Sequence, residues 1–202
     1  NQSILLEVPQ DLDQQTLERA LNELVQHHDA LRLAFVEDGG VWQQTYFDQT
    51  PLVAVSTSTP STEDKRLATA TELQQNSNLQ QPPLLRAHLF QHPASGPAHL
   101  LLIAHHLIVD GVSWRILLED LHTACHQLQE GASVRLPLKT SSIGEWTRML
   151  SNLSTTEFEG LGYWTSRQEE TATYFDNVSL GTIASARTHV MELNPQQTDA
   201  LL

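Results

Sequence analysis

The sequence predicts an α/β fold, a mixed sheet covered by helices. Period-two apolar runs alternate with period-3.6 stripes along the 202 residues, the patterns of strands and amphipathic helices. Some connections between strands are long enough to carry a helix, as crossovers in a mixed sheet require. With 40% hydrophobic residues, the length suffices for one well-buried domain, or one and a part.

The elements follow in order. Ile4, Leu6 and Val8 alternate with Leu5 and Glu7, a strand closed by Pro9. Asp11 or Asp13 caps a helix running to about His27, with Leu17, Ala20, Leu21, Leu24 and Val25 as its apolar stripe. Leu31 to Val36 and Val41 to Phe47 read as two arms of a hairpin about Asp38-Gly39-Gly40. Residues 56–62 (STSTPST) read as a polar loop. A helix from Glu63 to Leu79 turns Leu67, Ala70, Leu73 and Leu79 inward, and Pro82-Pro83 prevents its continuation. Leu84 to Phe90 and His99 to Ala104 read as paired strands, joined by a turn at 92–97. A long helix over 113–129 ends before Gly131, a C′ glycine. Two shorter helical patterns occupy 141–151 and 156–169, a connector 171–186, and a strand 187–193, before Pro195 opens a last helix.

The formal net charge of −13 argues against nucleic acid as a partner, because phosphates need Lys and Arg. No apolar run approaches the ~20 residues that span a bilayer, and no leader pattern opens the chain. A cytoplasmic, excised piece of a larger protein is the expectation. The single cysteine, Cys125, lies among Leu117, Leu118, Leu121 and Leu128 at helical spacing and reads as a helix-face residue rather than a nucleophile.

Chemistry concentrates at His105-His106-Leu107-Ile108-Val109-Asp110-Gly111, where a buried strand meets a helix. A histidine there suits proton transfer, since its ordinary pKa lies near neutrality. Neighbouring residues of a strand face opposite ways, so one imidazole enters a cleft, the other turns away, and the two do not share a metal. Asp110 is placed to orient the imidazole, cap the helix or pair with an arginine. Gly111 allows close backbone approach or positive φ, and Ser113 is a second candidate cap. Spacing alone leaves a catalytic site and an ordinary capped turn both open. His122 and His126 have i, i+4 metal spacing but no evident third ligand, so no metal site is expected.

The stretch HHLIVDGVSW resembles the His-His-x-x-x-Asp-Gly motif of the condensation-domain superfamily of nonribosomal peptide synthetases, related in fold to chloramphenicol acetyltransferase. Its extension Ser113-Trp114-Arg115-Ile116-Leu117 is similar to the version in epimerization domains. NQSILLEV at the start, HHDALRLAF at 27–35, LPLKTSSIGEW at 136–146 and YW at 163–164 follow that subgroup's order.

The resemblance implies a two-layer acetyltransferase-like sandwich, one lobe of a two-lobe V with a tunnel between. Residues 1–170 would form the N-terminal lobe, 171–186 the linker, and 187–202 the start of a truncated C-terminal lobe. His106 would face the tunnel as the catalytic group, and Arg32 would hold a structural Asp110. His105, Gly111, Ser113 and Trp114 would support the motif, with Trp114 packing in the core. The implied reaction is inversion of the α-carbon of an aminoacyl or peptidyl thioester, by α-proton removal and return. No cofactor would bind directly; 4′-phosphopantetheine on an upstream peptidyl carrier protein would deliver the substrate. Partners would be that carrier, the missing C-terminal lobe with its glutamate, and neighbouring synthetase modules. The fragment alone is expected to be inactive. Competing readings are a condensation domain joining two carrier-bound substrates and a non-catalytic carrier-docking lobe.

Overall fold

The computed structural model describes residues 1–47, 49, 51–75, 77–92, 96–153, 161–166, 182 and 185–201. The chain divides into two compact units, Asn1–Leu150 and Ser151–Leu202.

The first unit is built on a four-stranded sheet in the order β1 (Gln2–Val8), β6 (Ala98–Ala104), β5 (Leu85–Phe90), β4 (Val55–Ser58). β6 runs antiparallel to both neighbours, and β4 is parallel to β5, so the sheet is mixed as predicted. The parallel pair requires a crossover, supplied by α2 (Glu63–Gln75). β2 (Leu33–Asp38) and β3 (Val41–Tyr46) form a separate hairpin. Gly39 and Gly40 have φ of 58° and 83°, the pair of positive values that a two-residue type I′ turn demands.

Side-chain parity sends the sheet's residues to two faces. Leu85, Ala87 and Leu89 of β5, with Leu100, Leu102 and Ala104 of β6, meet α1 (Gln14–His27) and α3 (Gly111–Gln129) in the main core. Leu17, Leu21 and Leu24 of α1 are at most 2% exposed, and each such burial contributes about 1.5–3 kcal/mol. On the opposite face Phe90, Leu101 and Ile103 meet Ala70 and Leu73 of α2.

Both long helices are punctuated as their sequences dictate. Asp13 caps α1, its carboxylate accepting from the Thr16 N–H at 2.9 Å. α3 ends in a Schellman motif: the Ala132 N–H reaches the Gln127 carbonyl at 2.9 Å and the Gly131 N–H reaches that of Leu128 at 3.0 Å. Gly131, at φ 73°, occupies the left-handed position for which glycine is suited.

The open edge of β4 is closed by side chains of α1, one helical turn apart. Gln14 Nε2 donates to the Val55 carbonyl at 2.7 Å, and Glu18 Oε1 accepts from the Val55 N–H at 3.0 Å. Asn22 Oδ1 accepts from the Val53 N–H at 2.8 Å. Helix side chains here satisfy backbone groups that a further strand would otherwise pair.

Three expectations are corrected. Residues 56–58, read as loop, belong to strand β4. The predicted 63–79 helix ends at Gln75, and Leu67 is 64% exposed rather than inward, because the second face offers only a small apolar cluster to cover. Leu79, beyond the helix, joins the main core instead. Residues 187–193 are not a strand; they lack a ladder partner among the described residues.

α4 (Ile143–Asn152) begins within a capping box, Ser142 and Glu145 exchanging side-chain to backbone bonds at 2.8 and 3.2 Å. The second unit contains α5 (Leu161–Ser166) and α6 (Pro195–Leu201). The predicted 156–169 helix is described only over α5, and the connector at 171–186 lies almost wholly outside the described residues.

Candidate active site

His105 and His106 follow directly on the last rung of β6, where Ala104 pairs with both Gln2 and Leu85. The His105 N–H donates to the Leu84 carbonyl at 3.1 Å, and its carbonyl accepts from the Ile108 N–H at 3.0 Å. The chain thereby turns off the sheet, burying Ile108 and Val109 and leaving His106 exposed.

The two imidazoles differ in environment. His105 is half-buried, and its Nδ1 accepts from the Leu107 N–H at 3.2 Å. Burial pushes its pKa down, so the ring stays neutral and braces the turn. His106 Nδ1 lies 2.9 Å from the Val109 carbonyl. A carbonyl only accepts, so Nδ1 carries the hydrogen. Neutral His106 therefore has its lone pair on the exposed Nε2. Such an Nδ1–H bond orients acid–base histidines in general.

Asp110 caps α3. Its Oδ1 accepts from the Ser113 N–H and the Ser113 hydroxyl, both at 2.7 Å, and these bonds hold its carboxyl below the usual range. The capping alternative is thus realised through Asp110, with Ser113 as donor. The expected Arg32–Asp110 pair is not formed. Arg32 Nη2 instead meets Asp29 Oδ1 at 2.8 Å and the Tyr46 hydroxyl, while Nη1 donates to the carbonyls of Val25, at 2.9 Å, and Gln26. With the end of α1 to satisfy, its guanidinium has no reach left for α3. Its Nε is buried without a partner.

Gly111 has neither predicted constraint: its φ is not positive, and a Cβ there would meet nothing within 4 Å. It leaves the approach beside His106 clear. Trp114 is buried in the core, with its indole N–H on Gln2 Oε1 at 2.9 Å, which ties the start of α3 to β1. Cys125 is half-buried, its thiol pushed up to about 11 by burial; it faces an apolar groove of about 380 Å³ at the far end of α3. This agrees with the helix-face reading and gives no thiolate nucleophile at neutral pH.

The sequence reading missed a polar contact between the two core helices. Asp120, only 5% exposed, sits on the same α3 stripe as Leu117, Leu121 and Ala124. Its Oδ2 is 2.7 Å from Nε2 of His28, which follows α1. Burial pushes the His28 pKa down while Asp120 opposes that shift. A carboxylate on an apolar stripe was the available signal, since such a group needs a partner when buried. On the other face, His88 is buried between the hydroxyls of Ser56 and Ser58, at 2.6 and 2.8 Å, and burial pushes its pKa down.

Among the described residues no helix is long and apolar enough to cross a membrane. His122 and His126 have ring centroids 6.5 Å apart on an open helix face.

Comparison with known proteins supplies the wider setting. A solved epimerization domain, from the third module of tyrocidine synthetase B, superimposes with a TM-score of 0.77 at 30% identity, over 86% of this chain and 39% of that one. A linear gramicidin synthase polypeptide of Brevibacillus parabrevis is 37% identical over the whole chain, which spans 4% of that protein. Tyrocidine synthase 1 of the same organism is 32% identical, again over the whole chain and 19% of its own length. The family model described as Condensation domain matches residues 1–193, and the chain belongs to that family.

Proposed function

We propose that this chain is the histidine-bearing lobe of an epimerization domain that interconverts the L and D forms of an aminoacyl or peptidyl group. The substrate is a thioester on the 4′-phosphopantetheine arm of a carrier protein. The observation that carries the chemistry is His106: exposed beside Gly111, its Nδ1–H spent on Val109, its Nε2 available. Nε2 takes the α-proton, the electron pair delocalises into the thioester carbonyl as an enolate, and a proton returns to the opposite face. Acid–base assistance of this kind is worth roughly 10²–10⁴-fold. A glutamate from the second lobe is the counterpart on the other face.

Support for epimerization over amide formation comes from the Ser113-Trp114-Arg115-Ile116-Leu117 extension and from the likeness to an epimerization domain. The competing reading is condensation, favoured by the family match itself; there His106 would assist the attacking amine. In either case residues 1–170 form the first lobe, 171–186 the linker and 187–202 the start of the second. A carrier protein and neighbouring synthetase modules are the partners, and the setting is cytoplasmic.

The test loads a carrier protein with an L-aminoacyl group and incubates it with the parent synthetase in deuterated water. Epimerization gives solvent deuterium at the α-carbon and a mixture of enantiomers. Retention of configuration with new amide bonds would establish condensation instead. Full epimerase activity in a His106→Gln parent would remove His106 from the chemistry.

A further inference from the structure

We propose that His27, His28 and Asp120 form a binding site for a divalent transition-metal ion of the zinc class, which staples the end of α1 to α3. Each offers one ligand atom, and these atoms lie within 4.8 Å of one another. His28 Nε2 and Asp120 Oδ2 are 2.7 Å apart in a hydrogen bond, so two of the three candidate ligands already face each other. The His27 ring lies edge-on to that of His28, centroids 4.9 Å apart. Among the described residues neither nitrogen of His27 is taken by a hydrogen bond, and the ring is only half-buried. It is therefore free to swing inward. Tetrahedral ligand distances of about 2.0–2.2 Å set donor atoms about 3.3–3.6 Å apart, so the His28–Asp120 contact opens slightly while His27 moves in by a side-chain torsion.

Several features favour a cation here. Asp120 is buried and paired with His28, and a cation held between the two would keep the buried carboxylate compensated once that hydrogen bond opens. His27 occupies the last turn of α1, where the helix dipole places partial negative charge. The nearby cations are engaged elsewhere: Lys139 Nζ is 3.0 Å from Asp29 Oδ1, and Arg32 lies 2.8 Å from the same carboxylate oxygen. Asp29 thus offsets their charge, though Lys139 still acts electrostatically on His28. Two imidazoles and one carboxylate suit zinc, cobalt, nickel or copper over magnesium or calcium, which prefer oxygen. With three protein ligands, water would complete the shell.

Asp120 follows Asp110 by ten residues on α3, roughly 15 Å along the axis. The site is thus remote from His106 and independent of its chemistry.

The experiment titrates the metal-free chain with Zn²⁺ by calorimetry and with Co²⁺ by visible absorption, magnesium serving as control. The expected results are one zinc per chain, cobalt ligand-field bands of a low-coordinate site, and a zinc-dependent rise in Tm. His27→Ala leaves the His28–Asp120 bond intact and should fold; it should weaken zinc by about tenfold or more and erase the cobalt bands. Asp120→Asn should do the same where it folds. His122→Ala should bind as the parent does. No zinc binding, binding unaffected by His27→Ala, or loss of binding on replacing His122 would each overturn the proposal; in the first case His28 and Asp120 form only a hydrogen-bonded pair.

Discussion

Replacing Asn22 with alanine tests whether α1 holds the edge of the sheet through its polar side chains. The Asn22 Oδ1 atom is the hydrogen-bond acceptor for the Val53 N–H, at 2.8 Å, and Val53 is 3% exposed. The return bond, Asn22 Nδ2 to the Val53 carbonyl, is long at 3.4 Å and adds little. Alanine would leave a buried backbone donor unpaired, at a cost of about 1–3 kcal/mol. It would recover a few tenths of a kcal/mol as a better helix former, for a net loss of about 0.5–2.5 kcal/mol. Urea unfolding measures that loss as a lower midpoint at unchanged slope. Hydrogen exchange localises it: the Val53 amide should lose protection while the amides of β6 keep theirs. Asn22→Asp keeps the acceptor and should cost less than alanine. A midpoint unchanged by alanine, with Val53 still protected, would refute the idea that these side chains seal the edge.

Four further outcomes are expected. His106→Gln in the parent synthetase should lower α-proton exchange by roughly 10²–10⁴-fold, read by deuterium incorporation, without changing Tm. A double-mutant cycle between Arg32→Lys and Asp110→Ala should show no coupling in Tm, whereas Asp110→Ser, which preserves a cap, should recover much of what Asp110→Ala loses. His88 titrates below its ordinary value through burial alone, so the unfolded chain binds the extra proton first. Its contribution is therefore constant well above pH 6.5 and destabilising as pH falls through that value toward the folded pKa. The slope of Tm against pH below neutrality should accordingly flatten in His88→Asn. Cys125, with its thiol near 11, should resist alkylation at pH about 8 until urea unfolds the chain.

The main core was legible because its helices carry their burial in their own spacing: Leu17, Leu21 and Leu24 repeat every turn, and Asp13 and Gly131 mark the ends. β6 was legible as the apolar run Leu100–Ala104, and β5 as the alternation of Leu85, Ala87 and Leu89 with Arg86 and His88. β4 was not, because Val-Ser-Thr-Ser owes its strand to distant partners, the backbone of β5 and the side chains of Gln14, Glu18 and Asn22. Leu67 illustrates a different failure, since period 3.6 fixes which residues share a face but not how wide a surface awaits them. At the site, the motif located His106 and Asp110, while the choice among capping, pairing and orienting depended on geometry. The Arg32 side chain goes to the end of α1, where helix carbonyls and Asp29 converge, a destination that no local spacing reveals.

The double pairing of Ala104 sets how accurately the imidazole two residues later is placed. From that rung the chain extends at most about 7 Å to His106, so the ring inherits the positional noise of a central strand rather than of a surface loop. Engineering of chimeric domains should respect this lever arm. A graft that carries β6, the turn and the first turn of α3 as one block transfers the histidine with its aim. A crossover cut between Ala104 and Asp110 would transplant the same residues and lose the aim. Substitutions on the exposed residues of α2, which do not touch that rung, should drift freely between relatives without moving His106.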